Sequence, residues 1–75
     1  MSDEKMYQFT INTPRGVYKS ARMNEETADS FADNMKAAMK SGSHGVMYFT
    51  NDDKEAIVIP FEVLKQSVVT MREVE

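Results

Sequence analysis

The chain has no cysteine. That excludes disulfides, thiolate metal sites and Cys-His nucleophilic pairs, and it fits a reducing compartment. Histidine occurs once, at His44, and one imidazole without thiolates does not build a zinc site. Glycine is scarce: Gly16, Gly42 and Gly45 stand isolated. They form neither a P-loop nor the dinucleotide-binding glycine pattern. Long hydrophobic runs are missing too. The stretch Ala56–Phe61 falls far short of the roughly 20 apolar residues that span a bilayer. Residues 1–5, MSDEK, lack the basic and apolar start of a signal peptide. Positive charge is also in deficit, with 12 acidic against 9 basic side chains and a net charge of −3. A chain so charged has no global attraction to phosphates. The expectation is a cytoplasmic protein with no cofactor, no metal and no membrane contact.

What is present is a short chain of 75 residues, read as one domain over 1–75. A domain this small buries only about 60% of its unfolded surface. Such domains lean on disulfides, metal or oligomerisation. Here that leaves an efficient core or a partner chain. The hydrophobic content of 41% is enough for a folded domain.

Hydrophobic periodicity gives the elements. Lys5–Ile11 alternates, with Tyr7, Phe9 and Ile11 on one face, which is the pattern of a half-buried strand. Thr13-Pro14-Arg15-Gly16 supplies turn residues. Val17–Met23 is the return strand, with Val17, Lys19, Ala21 and Met23 on one side and Tyr18, Ser20 and Arg22 on the other. Mixed faces of this kind suit a sheet edge. Asn24 is a good helix N-cap, and Glu25 and Glu26 place negative charge at the positive helix end. Ala28, Phe31, Ala32, Met35, Ala38 and Met39 follow at spacings of three and four. The helix is expected over about 25–41, closed by Gly42.

Beyond it, Val46–Thr50 and Glu55–Ile59 form a second hairpin around Asn51–Lys54. Ala56–Ile59 is apolar throughout, as in a central strand covered on both faces. Pro60 ends that strand and opens a short helical turn at Phe61–Lys65, before a last strand over Val68–Val74. The fold class is α+β: two layers, a mainly antiparallel sheet of about five strands in the order β-β-α-β-β-β, and one principal helix on one face.

One helix covers one face of such a sheet. The run VMYF is apolar at both parities, so the uncovered face is expected to carry large apolar side chains and to mark an interface. Tyr18, Met47, Phe49 and Met71 are the interface candidates, with Val46 and Tyr48 as the alternative parity. Seven methionines are mostly core filling, and Met47 and Met71 gain interest if exposed together.

Other constellations carry less. His44, set near Asp52 or Asp53, would be the base of a small hydrolase or isomerase, but no nucleophile accompanies it; no catalytic residue is assigned. Asn51–Glu55 lacks the spacing of a calcium loop. Arg15, Tyr18, Lys19 and Arg22 form the most basic local feature and give an alternative reading as a nucleic-acid-binding strand. Glu25, Glu26, Asp29 and Asp33, followed by Lys36 and Lys40, match the helix dipole.

The segment Ile59-Pro60-Phe61-Glu62-Val63-Leu64-Lys65-Gln66-Ser67-Val68-Val69 resembles short uncharacterised proteins of Gram-positive bacteria and their phages. The resemblance covers the last 30 or so residues. It implies a small accessory or host-interacting protein and assigns no activity or binding residue. Together these readings point to a non-enzymatic binding or regulatory protein that acts through a protein–protein interface and self-associates as a homodimer.

Overall fold

The computed structural model describes residues 5–40 and 45–74. Gly42, expected to close the helix, and His44 lie outside them. The described residues form β1 (Met6–Thr13), β2 (Gly16–Lys19), β3 (Met23–Asn24), α1 (Glu25–Lys40), β4 (Val46–Thr50), β5 (Ala56–Pro60), α2 (Phe61–Leu64) and β6 (Val68–Val74). The fold is α+β and antiparallel throughout its described pairings, with one main helix.

The strands divide into two sheets rather than the single five-stranded one expected. In the first, β1 is central: β6 runs along one side of it, and β2 and β3 share the other. The second is the β4–β5 hairpin. The expected return strand is broken in two by a bulge. Lys19 pairs with Thr10, yet Met23 pairs with Tyr7. Ser20, Ala21 and Arg22 therefore stand against only Gln8 and Phe9. One extra residue reverses the side-chain parity beyond it. Met23 accordingly joins the face of Tyr7 and Tyr18, not that of Val17 and Lys19.

Ser20 fixes the bulge from within. Its N–H donates to the Phe9 carbonyl at 2.9 Å, and its Oγ accepts the Phe9 N–H at 3.0 Å and donates to the Ala21 carbonyl at 2.9 Å. The residue is fully buried, so these bonds satisfy groups that water cannot reach.

The helix starts where the sequence places it. The Thr27 N–H donates to the Asn24 Oδ1 at 2.8 Å, satisfying one of the free donors of the first turn. Its stripe then meets both sheets. Phe31 stacks at 4.6 Å on Phe9 of β1 and meets Phe49 of β4 edge-on at 5.8 Å. Ile11, Met35, Ala38, Met47, Ile59 and Leu64 complete the core around it. Both sheets thus turn their apolar face to a single helix.

The uncovered face of the four-stranded sheet corrects the expectation of an apolar one. By register, Gln8, Thr10 and Asn12 lie beside Thr70, Arg72 and Lys19 there. Val17 and Val68, which pair with Asn12 and are 59% and 64% exposed, put two apolar side chains at one end of this face, so it is mixed rather than apolar throughout. Exposed apolar side chains are also aligned on the hairpin.

Candidate interaction surface

The β4–β5 hairpin is apolar on both sides because its two strands are. Val46 faces Pro60, Tyr48 faces Val58 and Thr50 faces Ala56, while Met47 faces Ile59 and Phe49 faces Ile57. The second set points into the core. The first set therefore points out. Val46 is 57% exposed, Tyr48 64% and Val58 53%. No charged side chain interrupts the stripe of six residues; the charges gather in the turn beyond it, at Asp52, Asp53, Lys54 and Glu55.

Core formation decides which parity goes inward. Phe49 is the side chain that can meet Phe31, and a phenol such as Tyr48 keeps its hydroxyl in water while offering an apolar ring. Met47 and Phe49, two of the four interface candidates, are accordingly buried. The exposed members of the pair of alternatives are Val46 and Tyr48. Sequence reasoning missed Val58, since the run AIVIP looked doubly covered. In fact only one face of β5 packs on the core, burying Ile59, and the other leaves Val58 53% exposed. The signal was the register: a hairpin that puts Tyr48 outside puts Val58 beside it.

Tyr18 and Met71 lie on the helix-side face of the four-stranded sheet, at opposite margins. Tyr18 pairs with Ile11 from β2, and Met71 pairs with Phe9 from β6. Tyr18 folds back over the turn, its hydroxyl about 3.5 Å from the position a Cβ would take on Gly16. Met71 is 48% exposed at the lip of a hollow of about 390 Å³ between β6 and α1, lined by Phe9, Met35, Lys36, Met39 and Val69 among others. The four candidates do not share one surface.

The basic strand is also divided. Arg15 sits in the β1–β2 turn, Lys19 points to the open sheet face opposite to Tyr18, and Arg22 lies in the bulge. The Arg22 Nε stands 3.6 Å from the Asp52 Oδ2. Among the described residues no group of three His, Cys, Asp or Glu side chains is placed to hold a metal, and no helix is long and apolar enough to cross a membrane. No family model, no curated protein and no solved structure matches the chain.

Proposed function

We propose that the chain is a non-enzymatic binding or regulatory protein that acts through a protein–protein interface and also self-associates. The observation that supports this reading most is the outward stripe of Val46, Tyr48 and Val58, more than half exposed at each position. A contiguous uncharged face of this kind, rimmed by charged turn residues, is the composition of an interface centre. Tyr48 is its anchor, because a ring with a polar tip contributes large contact area at little entropic cost. The resemblance of Ile59–Val69 to short Gram-positive and phage proteins favours a cytoplasmic accessory role in a bacterial cell.

The test is affinity capture from a bacterial extract with the natural chain and a Tyr48→Ser variant. Exposed substitutions of this type leave stability within about 0.5 kcal/mol. A partner held by the natural chain at high salt and lost by the variant supports the reading. Equal retention by both removes the stripe from it.

The alternative, a nucleic-acid-binding module using Arg15, Tyr18, Lys19 and Arg22, needs these side chains on one surface. Their positions on a turn, on two sheet faces and in a bulge count against it. Failure to bind DNA or RNA at low salt, where phosphate contacts are strongest, ends that alternative.

A further inference from the structure

We propose that two copies of this chain pair antiparallel through β6, extending two four-stranded sheets into one of eight. This rests on the reading of the chain as self-associating and names the surface that does it. β6 is seven residues long and, among the described strands, bonds to β1 alone. Its outer edge is the longest unpaired one among the described strands. The competing edges are five residues at β4, four at β2 and two at β3, and that of β5 ends in Pro60, which has no N–H to offer a ladder. A long edge without proline is a template for another strand.

The sequence of β6 fits its own reverse. The one register that pairs all seven residues sets Met71 against Met71 on the dyad. Val68 then meets Val74, Val69 meets Glu73 and Thr70 meets Arg72. A shift of two residues one way sets Arg72 against Arg72, like charges directly opposite. The same shift the other way leaves Glu73 and Val74 beyond the partner strand. In the full register the second copy's Glu73 arrives over Val69, on the helix side of the sheet. Val69 lines the hollow beside β6, and so does Lys36 from α1. Lys36 has no acidic partner among the described residues. The dyad thus places a carboxylate beside an unmatched cation twice per dimer, and the two Met71 side chains close the mouths of the two hollows.

The absence of cysteine from the chain makes the test direct. Residues opposed across an antiparallel pair have Cα atoms about 4.5–5.5 Å apart, inside the range of a disulfide. A Met71→Cys variant is expected to form a covalent dimer under mild oxidation at micromolar concentration. A Tyr48→Cys control is expected to stay uncrosslinked. Charge exchange supplies a second readout by sedimentation equilibrium. Lys36→Glu and Glu73→Lys are each expected to raise the dimer dissociation constant about 10-fold, and the double variant to recover most of the loss. If the natural chain dimerises but Met71→Cys does not crosslink, the β6 pairing is overturned while self-association stands; a crosslink at Tyr48→Cys would then move the contact to the hairpin face. If the natural chain sediments as a monomer at every concentration, both fall.

Discussion

Asp52, at the tip of the β4–β5 turn, holds Arg22 at the bulge of the first sheet, thirty residues earlier in the chain. Its Oδ1 accepts the Arg22 backbone N–H at 3.1 Å. Its Oδ2 accepts Gln8 Nε2 at 3.3 Å and stands 3.6 Å from the Arg22 Nε. The Ala21 N–H donates to the Thr50 carbonyl at 2.8 Å just beside it. These bonds join the two sheets. Asp52→Ala should destabilise the fold by about 1 kcal/mol, measured by urea unfolding. The side chains are about half exposed, so the ion pair itself contributes little. Most of the loss belongs to the backbone hydrogen bond. High salt should therefore leave the difference between the two chains largely intact, whereas a purely ionic clamp would lose it.

Ser20 predicts a larger effect. Its Oγ is the acceptor for a buried Phe9 N–H. Ser20→Ala leaves that N–H without a partner, at a cost of about 1–3 kcal/mol. Amide exchange at Phe9 should accelerate well beyond the change expected from global stability alone. Unchanged protection there would show that another acceptor takes over.

Gly45 is required by a close approach. A Cβ on it would lie 2.6 Å from the Phe61 Cε2, and the Phe61 N–H donates to the Gly45 carbonyl at 2.8 Å. Gly45→Ala must push the ring of Phe61 off its site, which costs about 1–3 kcal/mol as other overpacking does. Trimming the ring should give some of this back. In a double-mutant cycle Gly45→Ala and Phe61→Leu are expected to be less than additive; simple additivity would deny the contact.

Lys54 has φ of +65°, a left-handed conformation that ordinary side chains avoid. It closes the β4–β5 turn, donating its N–H to the Asn51 carbonyl at 3.0 Å. The side chain of Asn51 accepts the Glu55 N–H at 2.9 Å and donates to the Glu55 Oε1 at 2.8 Å. Lys54→Gly relieves about 1–2 kcal/mol of backbone strain and adds about 0.5–1 kcal/mol of unfolded-state entropy. The net expectation is a gain of about 0.5 kcal/mol in thermal unfolding. A loss would mean that the lysine side chain stabilises the turn.

Much of the architecture was legible because it depends on local chemistry. Asn24 followed by two glutamates marks the start of α1 whatever packs on it, and the spacing from Ala28 to Met39 marks its buried stripe. The last strand, Val68–Val74, begins and ends as its β-branched run suggests. The return strand was misread because a bulge leaves almost no trace in a pattern of period two: Ser20 and Ala21 read as ordinary strand residues. The interface was half legible. VMYF announced surplus apolar surface, but alternation cannot say which parity faces inward when both are apolar.

By itself, the sequence determined the main helix, the order of the elements apart from the split return strand, and the amount of apolar side chain to be hidden, since these follow from periodicity, capping and turn residues within a few positions of one another. Only the tertiary structure decided that Met47 and Phe49 go inside while Tyr48 and Val58 stay out, that the other sheet shows water a mixed face, and that the edge of β6 is left unpaired among the described strands. Each of those outcomes depends on which residues meet across long stretches of chain, as Phe31 meets Phe9 and Phe49 at once, and no local pattern encodes that meeting.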